Sequence, residues 1–97
     1  MIVMNISLVH LQSMEALVKC YMEVDPFPDC ITEKGLYSRF AKGVGMESIH
    51  ILEFDDSKLA EAFEFNGKRI LAFSSVPGFS CSSQPWTPIE EGLKMLA

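Results

Sequence analysis

The chain of 97 residues contains two histidines, His10 and His50. Histidine is the one side chain whose ordinary pKa lies near neutral pH, so these two are the first candidates for acid–base or ligand chemistry. Both fall in apolar stretches rich in β-branched residues and read as strand residues. With the two strands taken as parallel neighbours, His10 lies near the end of its strand and His50 near the middle of its own. The resulting offset of roughly 13 Å is too long for one metal ion to bridge. No metal site is expected. The simpler reading of each histidine is a hydrogen-bonded strand residue at the edge of the core. His50 also has Ser48 for company on its face of the strand, which makes it the candidate base or ligand contact. Tyr37 and Arg39 share one face of the preceding strand, and with His50 they are the candidate catalytic residues. Arg39 has a plainer role open to it, a fork onto Glu47 or Glu53 across the hairpin. His50, Ser48 and Phe54, all on the even face of one strand, are the candidate ligand-binding residues.

Other reactive groups point to ordinary roles. Cys81 sits between Ser80 and Ser82 with no base or positive dipole in view to make a nucleophilic thiolate, and reads as a small buried hydrophobe. Cys20 adjoins the apolar stripe of a helix and reads as core. Cys30 follows a Pro-rich loop and is the thiol expected to be exposed. Three cysteines, none in a Cys-x-x-Cys motif, describe neither a disulfide scaffold nor a zinc ribbon, so a reducing, cytoplasmic setting is expected. The Asp55-Asp56-Ser57 cluster suits a helix start and is too poor in oxygens for calcium. Gly43-x-Gly45 lies in a hairpin and lacks the lysine of a phosphate loop. No cofactor is implied.

These residues need elements to position them. Ile2 to Leu11 reads as a strand. Ser13 is expected to cap a helix carrying Met14, Leu17, Val18 and Tyr21 on one face, ended by Pro26. Gly35 to Ala41 and Met46 to Phe54 read as a hairpin. A helix from the Asp55 cluster buries Leu59, Ala62 and Phe63, and Asn66-Gly67 is able to stop it near Phe65. Lys68 to Ser75 fits either more helix or a strand. Phe79 to Trp86 reads as a last strand. Thr87-Pro88-Ile89-Glu90 spells a capping box, which starts a short helix with Ile89, Leu93 and Leu96 toward the core.

The size predicts one domain, residues 1–97. A net charge of −5 with eight scattered basic residues argues against nucleic acid and anionic membrane as partners. The opening apolar run is broken at Asn5, Ser7 and His10, too short to span a bilayer. The element order predicts an α+β fold, a βαββαβ ferredoxin-like sandwich with an added short C-terminal helix. One sheet face would then be bare. Yet strands 2–11 and 46–54 carry apolar residues on both faces, where a half-wet antiparallel sheet alternates. A second copy is the economical cover, which predicts a homodimer.

Three stretches carry a family resemblance: the opening strand, the hairpin from Gly35 through Ser57, and the end containing Pro85, Glu90, Glu91, Gly92, Leu93, Lys94, Met95 and Leu96. With these the chain resembles the dimeric α/β-barrel superfamily of the ferredoxin-like fold, and within it a group of short, uncharacterised bacterial and archaeal domains. The resemblance implies a shape and a dimer, not a chemistry, since that superfamily holds cofactor-free oxygenases, isomerases and proteins with no known reaction. Two functions stay open. One is a non-catalytic homodimer holding a small apolar or aromatic molecule in the barrel interior. The other is a cofactor-free oxygenase- or isomerase-like enzyme using His50. Convergence of His50, Tyr37 and Arg39 on one pocket would separate them.

Overall fold

The computed structural model describes residues 1–96. It is an α+β fold: β1 (Ile2–Val9), α1 (Met14–Glu23), β2 (Ile31–Ala41), β3 (Gly45–Phe54), α2 (Leu59–Phe73), β4 (Ser80–Trp86) and α3 (Ile89–Lys94), with single 3-10 turns leading into α1 and α2. The four strands form one sheet in the order β2-β3-β1-β4, and every neighbouring pair is antiparallel. The arrangement is consistent with a ferredoxin-like sandwich. It corrects two expectations: β1 and β3 are antiparallel neighbours, and His10 lies just past the end of β1, at the N-cap of the turn that leads into α1.

The β2–β3 turn depends on glycine. Gly43 has φ +76 and Gly45 φ +144, a region that favours glycine, and a Cβ on Gly45 would lie 2.0 Å from the Val9 carbonyl oxygen. Any other residue at position 45 would push β3 off β1.

Strand alternation sorts the sheet into two faces. Val3, Asn5 and Val9 of β1 are buried beneath the helices, as are Leu52 and Phe54 of β3. Ile2, Met4, Ile6 and Leu8 point the other way, opposite Glu53, Ile51, Ile49 and Glu47. That face carries no helix-side core residue, and Tyr37, Trp86 and Ile6 are well exposed on or beside it. The buried core is Val3, Ile31, Leu52, Phe54 and Ala62, with Met1, Phe27, Cys30, Leu59 and Phe65 packed around it. It sits at one end of the sandwich, where β1 begins and β3 ends.

Several local expectations need correction. Gly67 does not stop α2, which runs on to Phe73. A mid-helix glycine costs about 1 kcal/mol, which tertiary packing outweighs. Here Asn66 just before it is buried and hydrogen-bonded to Asn5, while Arg69 just after it caps Phe27. β2 starts at Ile31, four residues early, because Ile31 joins the core opposite Phe54. Ser13 stands at the N-cap of α1 but makes no capping bond, and its hydroxyl donates to the Pro77 carbonyl at 2.6 Å. Thr87 does not cap α3 either. Pro88 holds that position and no side chain caps it. Ile89 and Leu93 of α3 and Leu96 just past it are not in the core: Ile89 is 70% exposed and Leu96 84%. Asp55 does cap its turn as expected, its carboxylate accepting from the Ser57 backbone N–H at 2.9 Å. Cys30 is packed against the core rather than exposed.

Candidate functional site

Away from the packed end, α1 and α2 stand over the sheet without filling the space beneath them. No residue of α1 is buried. The space is a cleft of about 360 Å³, within the range of small-molecule sites. Its roof is Met14, Leu17, Val18 and Tyr21 of α1 with Asn66, Arg69, Ile70 and Phe73 of α2. Its floor is Asn5 and Ser7 of β1, Leu36 and Ser38 of β2, Met46, Ser48 and His50 of β3, and Cys81 of β4. The roof is apolar apart from Asn66, Arg69 and the Tyr21 hydroxyl, and most of the polar groups line the floor.

The register explains the polar floor. Asn5 lies opposite His50, and Ser7 opposite Ser48, on the helix-facing side of β1 and β3. The Ser7 and Ser48 hydroxyls share a hydrogen bond of 2.5 Å. Asn5 donates to the Asn66 Oδ1 at 2.7 Å and accepts from Asn66 Nδ2 at 3.2 Å, and Asn66 also donates to the Ser83 hydroxyl. These pairs satisfy one another, so the buried amides carry no unpaired group.

His50 is bound differently. Its Nε2 meets the Glu33 Oε1 at 2.9 Å. A carboxylate only accepts, so Nε2 carries the hydrogen and Nδ1 keeps a lone pair. The Phe27 ring stands edge-on to the imidazole with centroids 5.3 Å apart. Burial pushes the His50 pKa below its ordinary value, against the upward pull of the Glu33 hydrogen bond and charge, and Arg69 adds to the lowering. The neutral imidazole is therefore favoured. Arg69 also stands over Phe27, its guanidinium carbon 4.4 Å from the ring centroid, and donates to the Asp25 carbonyl at 2.7 Å. Among the described residues no carboxylate lies within 4 Å of it. Burial raises the pKa of the Cys81 thiol, which opposes a thiolate there.

Of the residues singled out from sequence, His50 and Ser48 line the cleft together. Tyr37 and Arg39 do not join them. They lie opposite Ile49 and Glu47, on the sheet face away from the helices, and Tyr37 is 63% exposed. Arg39 makes the ion pair with Glu47, Nε to Oε1 2.7 Å. The catalytic trio is thus split across the sheet, because strand alternation sends neighbours in the ladder to opposite sides. Phe54 is in the core, edge-on to Phe63, and outside the cleft. His10 is exposed and bonds the Val44 carbonyl at 3.2 Å. In the antiparallel register it is about five residues along from His50, roughly 17 Å. The described residues hold no group of three or more potential metal ligands, and no helix is long and apolar enough to cross a membrane.

Sequence reasoning missed Glu33, Asn66 and Arg69. Glu33 fell in the unpredictable stretch after the Pro-rich loop. Asn66-Gly67 has the look of a helix stop, and Arg69 lay in a segment that fitted helix and strand alike. One signal was there: a helix continued past Gly67 places Asn66, Arg69, Ile70 and Phe73 on one face. No family model, curated protein or solved structure matches the chain.

Proposed function

We propose that this protein binds a small, largely apolar or aromatic molecule in the cleft between its sheet and its two long helices, and that it does so as a homodimer. The observation that carries the binding reading is the cleft: about 360 Å³ with a mostly apolar roof and a floor that is polar only at a few ordered places. This relocates the expected ligand. His50 and Ser48 face the helices of their own chain, not the face that a second copy would cover.

The dimer reading rests on the opposite face. Ile2, Met4, Ile6, Leu8, Ile49 and Ile51 form an apolar patch there. Large contiguous apolar surface of this kind marks an interface. Two sheets joined at it would form the dimeric α/β barrel that the sequence resembles. Native mass spectrometry tests both parts. The expected spectrum shows a mass of two chains and retains added small aromatics. A single-chain mass at micromolar concentration would end the dimer reading, and Ile6→Glu should produce that mass in an otherwise folded chain. Failure of any small aromatic to perturb amide resonances of the cleft would end the binding reading.

A further inference from the structure

Arg69 and His50 are the two basic groups that line the cleft, and each keeps bonding capacity that the chain does not use. Asn5 and Asn66 bond each other through both amides, and Ser7 and Ser48 share one hydrogen bond. Arg69 donates to one backbone carbonyl and faces no carboxylate within 4 Å among the described residues. A half-buried guanidinium with free N–H groups is a fork-shaped receptor for a carboxylate. His50 has Nε2 held by Glu33, which leaves the Nδ1 lone pair as an acceptor. Both groups stand against the Phe27 ring, the imidazole with centroids 5.3 Å apart and the guanidinium carbon 4.4 Å from the ring centroid. Around them the roof supplies flat and flexible apolar side chains, Leu17, Ile70 and Phe73 among them.

We infer that the cleft takes an aromatic hydroxy acid, whose carboxylate pairs with Arg69, whose ring lies against the apolar roof and whose hydroxyl donates to His50 Nδ1. The inference rests on the proposed cleft and adds the chemical class of its occupant. Each ligand group answers one feature of the site. A half-buried guanidinium with no carboxylate within 4 Å among the described residues gains from a bound anion. A neutral histidine oriented by a carboxylate is an acceptor set for a hydroxyl. Glu33 occupies His50 Nε2, so a ligand meets that ring through Nδ1. The same geometry makes His50 the group that would receive the hydroxyl proton.

The test is a titration of the unaltered full chain with three probes, followed by amide and imidazole NMR: 6-hydroxy-2-naphthoate, 2-naphthoate and 2-naphthol. The hydroxy acid is expected to bind about tenfold tighter than either partial probe, with the largest shifts at Ser48, His50, Arg69 and Phe73 and a change in the His50 Nδ1 signal. Arg69→Gln should abolish the advantage of the acids and leave 2-naphthol unchanged. His50→Phe should erase the advantage of the hydroxyl. Equal affinity for all three probes at the cleft would overturn the hydroxy-acid assignment and leave the binding site standing. Shifts confined to the open sheet face, or none, would overturn both. The probe series decides the matter on the unaltered chain even where a variant fails to fold.

Discussion

The same face of the same two strands is dry at one end and polar in its middle, before Val9 and Met46 make it apolar again. Val3 and Leu52 are partners in the β1–β3 ladder and are 2% and 1% exposed. The next two pairs toward the cleft on that face are Asn5 with His50 and Ser7 with Ser48. Nothing in the backbone distinguishes the two ends, since the ladder runs through both without interruption. The difference is in what stands above. α2 begins over the dry end, with Ala62 in the core and Leu59 beside it. Further along, α2 presents Asn66 and Arg69, and α1 presents no buried side chain at all. A domain of this size has little apolar burial to spare. Four polar residues on a face that α1 and α2 overhang forgo stabilisation that Val or Leu would provide. That loss makes sense for a face kept open for a ligand.

The largest effect should come from the dry end. Leu52→Ala leaves a cavity among Val3, Phe54 and Ala62 and should cost about 2–5 kcal/mol in denaturant unfolding. A cost below about 1 kcal/mol would show that the two ends are equally loose. Next comes the amide cluster that closes the polar end. Asn66→Ala removes partners from Asn5 and Ser83 together and should cost about 1–3 kcal/mol, because the Asn5 amide is left buried and unpaired. Pairing it with Asn5→Ala should recover part of that loss, a non-additivity that a cycle of the four proteins measures.

His50→Phe keeps the volume and removes the nitrogens, so its stability cost at neutral pH should stay within about 1 kcal/mol. Its informative consequence is with pH. Burial holds the folded-state pKa of His50 below its ordinary value of about 6.5. The unfolded chain therefore takes up the proton first as pH falls. The native state keeps its full stability above pH 6.5 and loses the His50 share as pH drops through the folded pKa. Melting curves at pH 7.5 and pH 5.5 should show the unaltered protein losing more stability than the His50→Phe variant, with Glu33 and Arg69 unchanged in both. Equal losses would place His50 in contact with bulk water in the folded chain. The smallest effect belongs to Thr87→Ala, within about 0.5 kcal/mol, because Thr87 makes no capping bond to α3. A loss near 1 kcal/mol would mean that α3 starts at Thr87 in solution.

Much of this arrangement can be read without coordinates. The order of strands and helices follows from hydrophobic period, from Pro26 and from the Asp55 cap, each of which acts within a few residues. The two apolar faces of β1 follow from its composition, and so does the Arg39–Glu47 pair, which needs only the hairpin. The site divides along the same line. His50 and Ser48 share a face by simple alternation, so their presence together in the cleft was legible. The loss of Tyr37 and Arg39 from that site was decided by the β2–β3 register, which includes an irregularity between Glu33 and Gly35. A one-residue slip in a ladder sends every side chain to the other face, and no local signal in Gly35 to Ala41 sets that register. The carboxylate behind His50, the amide pair beneath α2 and the guanidinium over Phe27 join residues between 17 and 61 positions apart. Such pairings depend on where α2 crosses the sheet. That crossing is settled by the packing of Ala62 and Leu59 against Val3 and Leu52, a sum over many weak contacts that no single stretch of sequence contains.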